Sequence, residues 1–130
     1  MAIKKVRAAC AIIRNNGKIL IMQRPENGLW AELWEFPTFR LAGKEETASF
    51  LKTSLAETGL EAEIRSLKTS LKRSYTNHAE TLEVYDCELI REKRNPGTGA
   101  GQGPRKWVAR RDLKKFTFPA AHAKIIAEHL

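Results

Sequence analysis

Two groups of residues in this chain of 130 carry side chains that could do chemistry. The first is a polar turn, Tyr75-Thr76-Asn77-His78, whose hydroxyl, amide and imidazole groups both donate and accept hydrogen bonds. The second is a set of three glutamates, Glu45, Glu46 and Glu57, on one predicted helix. Carboxylates hold divalent metals when they are clustered, but Glu57 lies about three helical turns from the other two. The turn is therefore the stronger candidate site, although the same residue types also form ordinary hairpin turns.

Composition limits the classes of function that remain. The net charge of +8 attracts polyanions, although a basic protein with no such partner would carry the same charge. Cys10 and Cys87 stand alone, which excludes a four-cysteine zinc or iron–sulfur site, and we expect both to be buried thiols. No apolar run approaches the roughly 18 residues that span a bilayer. We therefore expect no membrane partner and a cytoplasmic, nucleoid-associated location.

Hydrophobic periodicity predicts the elements that must position the turn. We expect strands over residues 5–14, 18–24, 61–74, 80–90 and 105–109, and helices over 45–58 and 119–129. Asn16-Gly17 is a strong hairpin signal. Residues 26–44 are predicted to be an aromatic-rich loop and residues 91–104 a surface loop. The order indicates one α+β domain over residues 1–130, with a small mixed sheet flanked by helices.

Three strings of residues resemble a known family along the whole chain. They are Gln23-Arg24-Pro25 with Gly28-Leu29 and Leu33-Trp34-Glu35-Phe36-Pro37, then Arg73-Ser74-Tyr75-Thr76-Asn77, and finally Trp107, Leu113, Phe118-Pro119 and His122. Together they resemble the C-terminal domain of the adenine-DNA glycosylase family, MutY. The resemblance implies a Nudix-type fold, similar to that of the pyrophosphohydrolase MutT.

A working Nudix hydrolase has the motif Gly-x5-Glu-x7-Arg-Glu-U-x-Glu-Glu-x-Gly-U, in which U is bulky and apolar and the carboxylates hold metal. With Gly59 as the final glycine, the central part reads Lys52-Thr53-Ser54-Leu55-Ala56-Glu57, so only Glu57 remains of three clustered carboxylates. Thr38-Phe39 stands where the family has paired glycines. We therefore predict no catalytic residue and no metal ligand. A degenerate pyrophosphohydrolase acting on an oxidised nucleoside triphosphate is the alternative.

The resemblance implies a domain that recognises 8-oxoguanine opposite adenine in double-stranded DNA and is non-catalytic by itself. The family's catalytic half is a separate helical domain with an iron–sulfur cluster, which we expect to be covalently linked in the full-length enzyme. We expect no cofactor in this chain, and a monomer. A protein-interaction module that binds no nucleic acid is a third hypothesis.

The turn offers the chemistry that such recognition needs. Guanine presents N7 as an acceptor, whereas 8-oxoguanine carries a hydrogen there, so its reader needs an acceptor. Thr76 occupies the Ser/Thr position of the family turn, and Tyr75 occupies its aromatic position, from which it could wedge beside a base step. Asn77 replaces the usual histidine, and His78 follows directly. Basic residues nearby could contact phosphates. The predicted nucleic-acid-binding residues are Lys72, Arg73, Tyr75, Thr76, Asn77 and His78, with a further basic segment over residues 91–115.

Overall fold

The computed structural model describes residues 3–23, 33–75, 77–93 and 104–130. In chain order the elements are β1 (Lys4–Asn15), β2 (Lys18–Gln23), β3 (Trp34–Glu35), β4 (Thr38–Arg40), α1 (Thr47–Glu57), β5 (Leu60–Tyr75), β6 (His78–Glu92), β7 (Arg105–Ala109), a 3-10 helix (Arg110–Lys115) and α2 (Ala120–His129). The predicted strands and both predicted helices are present within a few residues of their expected bounds.

One mixed sheet runs in the order β3-β2-β1-β6-β5, with β4 on β1 and β7 on β2. The long pairing of β1 with β6 is parallel, from Lys4 opposite His78 to Arg14 opposite Glu88. The other pairings, including that of β5 with β6, are antiparallel. The predicted α+β class with a mixed sheet is confirmed.

Strand β1 is the centre of the molecule because both of its faces are covered. All six residues over 8–13 are buried, as expected for a strand with a layer on each side. Cys10 and Ile12 pack with Ile125 of α2, whereas Ala11 and Ile13 pack with Leu51 of α1 and its neighbours. The two helices therefore flank the sheet, as the sequence predicted.

The turns at the ends of β1 and α1 have the backbone that their sequences require. Asn16 and Gly17 have φ values of 52° and 76°, the left-handed pair of a type I′ hairpin. Gly59, two residues beyond the last residue of α1, has φ of 87° and ends the helix. Glu45 and Glu46, expected in the first helical turn, precede it, since α1 begins at Thr47.

The predicted aromatic loop over 26–44 is wrong in part, because β3 and β4 lie inside it. Residues 38–40 pair with residues 8–10 of β1, so β4 is a strand of the same sheet. Phe36 is fully buried, stacks on Phe118 and His122, and donates its backbone N–H to His122 Nδ1 at 3.2 Å. Trp34 packs on the same core, whereas Trp30 lies outside the described residues. The aromatic residues at 34 and 36 are therefore part of the hydrophobic core of this chain.

No helix within the described ranges is both long and apolar enough to cross a membrane.

Candidate functional site

Helix α1 carries the segment that resembles the hydrolase motif, yet it contains a single carboxylate. Glu57 is its last residue and is exposed. Counted back from Gly59, the other glutamate positions of the motif fall on Lys44, Thr53 and Ala56. Over the part of the chain that the structure describes, no three His, Cys, Asp or Glu side chains form a group that could hold a metal ion. These donors do not fit the divalent metal of a Nudix hydrolase, which takes several carboxylate oxygens.

An ion pair occupies the C-terminal end of α1. Arg105 donates to the carbonyl oxygen of Thr58 at 2.8 Å and to Glu92 Oε2 at 3.0 Å. Trp107 Nε1 donates to Glu92 Oε1 at 3.1 Å, so both carboxylate oxygens of Glu92 bind groups of this chain. A cation at this position is favourable because the helix dipole is negative there. These contacts fasten β6 and β7 to the helix end.

The predicted recognition turn lies at the end of the β5–β6 ladder and is tighter than expected. Tyr75 and His78 were assigned to the turn, but they belong to the strands and pair with each other. Asn77 is exposed, and its carbonyl oxygen accepts a hydrogen bond from the backbone N–H of Lys4 at 2.9 Å. Thr76 lies outside the described residues. The base contacts assigned to the turn stay predictions.

The two basic residues before the turn have different surroundings. Lys72 is exposed to solvent. Arg73 is bound to Glu80, with Nε at 2.6 Å and Nη2 at 2.5 Å from Oε1. Glu80 is only 3% exposed, and its second oxygen lies 3.5 Å from Nη2 of Arg40. Arg73 therefore helps to neutralise a buried carboxylate, which the sequence did not predict.

The predicted basic segment over 91–115 is interleaved with acidic partners. Arg91 binds Glu61 at 3.1 Å, and Lys115 binds Asp112 at 3.2 Å. Arg110 donates to the carbonyl oxygen of Leu130. Several cations of this segment are therefore engaged in contacts within the chain.

Four cations near the turn escaped the sequence-based assignment: Lys4, Lys5, Arg7 and Arg40. The parallel pairing of β1 with β6 brings the basic start of β1 beside residues 78–81. Arg7 Nη2 donates to the carbonyl oxygens of Gly43 at 2.9 Å and Glu45 at 3.2 Å. The cluster Lys4-Lys5-x-Arg7 was a visible signal in the sequence, but its neighbours on β6 were not, because they are more than 70 residues away along the chain.

Both cysteines are buried and free, as predicted. Burial raises the pKa of the Cys10 thiol to about 12, and burial together with the nearby charge of Asp86 raises the pKa of Cys87 to about 12. Neither thiol is a thiolate near neutral pH, so neither is a candidate nucleophile.

Comparison with known proteins shows which family and which solved structures this chain resembles. Residues 8–128 match the family model described as NUDIX domain. The MutT protein from Methanosarcina mazei Go1 is 19% identical, with a TM-score of 0.81 over 98% of this chain and 94% of that one. The E. coli ORF135 protein is 22% identical, with a TM-score of 0.78 over 96% and 88% of the two chains.

A third similar structure is a NUDIX hydrolase from Nitrosomonas europaea, 14% identical with a TM-score of 0.79 over 95% of this chain and 87% of that one. At these identities the likeness concerns the fold, since function depends on the residues of the site.

Proposed function

The chain belongs to the Nudix family, and on that premise we propose that it is a non-catalytic DNA-lesion-recognition domain of an adenine-DNA glycosylase. The observation that carries the proposal is the loss of the metal-binding carboxylates: Lys44, Thr53 and Ala56 stand at glutamate positions, and Glu57 alone remains. A lysine or an apolar methyl group cannot replace a carboxylate oxygen as a ligand of magnesium. The positive net charge and the strings that resemble the C-terminal domain of MutY support DNA as the ligand.

The turn between β5 and β6 is the part proposed to meet the damaged base. Tyr75 and His78 pair as the last residues of the ladder, so the ends of β5 and β6 are held together beside Asn77. A hydroxyl at Thr76 would accept the N7–H of 8-oxoguanine, whereas undamaged guanine offers no hydrogen there. Tyr75 is proposed to wedge beside the base step, with Asn77 and His78 supplying further hydrogen bonds. Adenine excision would belong to a separate, covalently linked domain.

The proposal is tested by measuring the affinity of the whole chain for two duplexes that differ only in a central 8-oxoguanine:adenine or guanine:cytosine pair. We expect the lesion duplex to bind more tightly, and Thr76→Ala to reduce the preference by about 2- to 10-fold, the value of one hydrogen bond. Thr76→Ser, which keeps the hydroxyl, is the matched control. Equal affinity of the unaltered chain for both duplexes would overturn the proposed function, and unchanged preference in Thr76→Ala would remove the role of Thr76.

The second candidate is a nucleotide pyrophosphohydrolase with a degenerate site. The similar solved structures favour this candidate over a glycosylase domain, because several are named as MutT proteins or Nudix hydrolases. The residues of α1 weigh against it, since one carboxylate makes a poor magnesium site. Magnesium-dependent release of pyrophosphate from 8-oxo-dGTP, abolished by Glu57→Gln, would establish the hydrolase and end the non-catalytic proposal.

A further inference from the structure

We propose that a cationic platform at the end of the sheet next to the β5–β6 turn binds the phosphodiester backbone of double-stranded DNA. The platform consists of Lys5 and Arg7 on β1, Thr81 on β6, and Lys72 and Ser74 on β5. This inference rests on the proposed function, because it names where the DNA backbone would run. It also concerns a contact that does not depend on the damaged base.

Strand register places these residues side by side. Arg7 lies opposite Thr81, and Thr81 lies opposite Lys72, so the three form one row across β1, β6 and β5. In the next row on the same face, Lys5 and Ser74 lie on either side of Ala79 of β6. Side chains in one row, and in rows two residues apart, point to the same face of a sheet. Three cations and two hydroxyls therefore share one face.

Two open cavities meet along this start of β1. One has a volume of about 530 Å³ and the other about 350 Å³, and both are lined by residues 5–7. The first extends to β5 and β6, and the second extends over the loop before α1. The cationic residues that line one or both are Lys5, Arg7 and Lys72 of the platform, and Lys4, Arg40 and Arg73, which alternate onto the other face of the sheet. A concave, positively charged surface concentrates phosphate groups near it.

The one acidic residue among the described residues that line these cavities is Glu80. It is buried and bound by Arg73 at 2.5 Å, with Arg40 at 3.5 Å on its other oxygen. Its charge is thus compensated from within the protein, on the face opposite to the platform. Lys5 and Lys72 are exposed, which leaves their ammonium groups in contact with solvent and accessible to a ligand.

The form of the surface favours a phosphate chain over a single nucleotide. Lys5 and Arg7 are about 7 Å apart along extended backbone, similar to the axial rise of about two phosphates on one DNA strand. None of the described residues that line the two cavities is aromatic, so there is no ring on which an isolated base would stack. Lysine, arginine and hydroxyl groups are the usual partners of backbone phosphates. The platform adjoins the turn, since Lys4 binds Asn77.

The test compares two charge-reversed variants of the whole chain in binding to an undamaged duplex across a series of salt concentrations. Lys5→Glu with Lys72→Glu alters the platform, and Lys18→Glu with Lys124→Glu alters two exposed positions away from it, at the start of β2 and on α2. Each double variant changes the net charge from +8 to +4, since every exchange of lysine for glutamate lowers the net charge by two. We expect the platform variant to bind about tenfold more weakly or worse, with a salt slope smaller by about 2, and the control to change far less.

The outcomes separate this inference from the proposed function. If the platform variant loses affinity but the unaltered chain does not prefer the lesion duplex, the platform stands and the lesion-reading function fails. If the chain prefers the lesion duplex and both variants bind equally, the platform is wrong. Weakened binding of dGTP with unchanged duplex binding would assign the surface to mononucleotides and overturn the inference. An unaltered chain that binds no duplex at low salt would overturn both.

Discussion

The guanidinium of Arg73 and the buried carboxylate of Glu80 face each other across β5 and β6, as directly paired residues of an antiparallel ladder. Two guanidinium nitrogens lie 2.5 and 2.6 Å from the same carboxylate oxygen. Such a charge-assisted pair is strong because it is short and largely withdrawn from water. It holds together the ends of β5 and β6 near Asn77, so it links the stability of the sheet to the strand ends that flank the candidate site.

Replacing Glu80 by glutamine tests this link. Glu80→Gln removes the charge that compensates Arg73 and Arg40, and we expect the free energy of unfolding to fall by about 1.5–3 kcal/mol. Urea unfolding followed by tryptophan fluorescence measures the change. Glu88→Gln is the matched control, since Glu88 is 53% exposed and binds Arg65 at the surface, where an ion pair contributes about 0–1 kcal/mol. Equal losses in the two variants would show that burial of Glu80 has no special effect.

Gly59 is a second position at which a small substitution is expected to lower the free energy of unfolding by a large amount. Its φ is 87°, and a Cβ placed there would lie 2.4 Å from the carbonyl oxygen of Lys93. Gly17 also has a positive φ, 76°, but nothing lies within 4 Å of its Cβ position. We expect Gly17→Ala to cost about 1–2 kcal/mol from the left-handed backbone alone. Gly59→Ala should cost about 2–5 kcal/mol, because the steric clash is added. Thermal unfolding of both variants measures the two losses of stability. A smaller loss for Gly59→Ala than for Gly17→Ala would contradict the close approach of the Lys93 carbonyl oxygen to Gly59.

His122 supports the aromatic segment through one nitrogen. Its Nδ1 accepts the backbone N–H of Phe36 inside the core, so His122→Leu leaves a buried donor without that acceptor. We expect a loss of about 1–3 kcal/mol in chemical unfolding. His122→Asn, whose side-chain oxygen can accept the same bond, should lose less, and His129→Leu near the chain end should change stability by about 0.5 kcal/mol or less. A leucine variant as stable as the unaltered chain would show that the bond to Phe36 is dispensable.

Local sequence patterns predicted most of the elements but not how the strands meet. The Asn16-Gly17 hairpin turn and the helix expected over residues 45–58 depend on neighbouring residues alone, and both were found, the helix over Thr47–Glu57. The short strands β3 and β4 were missed because two or three residues show no periodicity. They are strands because β2 and β1 offer them backbone partners.

The site was harder to predict, because its geometry depends on long-range pairing. Lys72 was recognised by its nearness to the turn in sequence, whereas Lys5 and Arg7 join it only through the parallel register of β1 with β6. No local pattern specifies which strand lies beside which. Likewise, a glutamate at position 80 predicts an exposed residue on average, and its burial follows from two arginines that come from β4 and β5.

The two thiols give a prediction that depends on pH. Cys10 and Cys87 have pKa values of about 12 in the folded protein, against an ordinary 9.0, because burial disfavours the thiolate. The unfolded chain loses these protons first as the pH rises, so the stability that the neutral thiols contribute is intact below pH 9 and falls between pH 9 and about 12.

At pH 8 the folded chain should react with a disulfide reagent far more slowly than the chain in guanidinium, where both thiols are exposed. A Ser49→Cys variant, with an exposed thiol on α1, is the positive control and should react at once. Fast reaction of the unaltered folded chain at pH 8 would contradict the burial of the two cysteines.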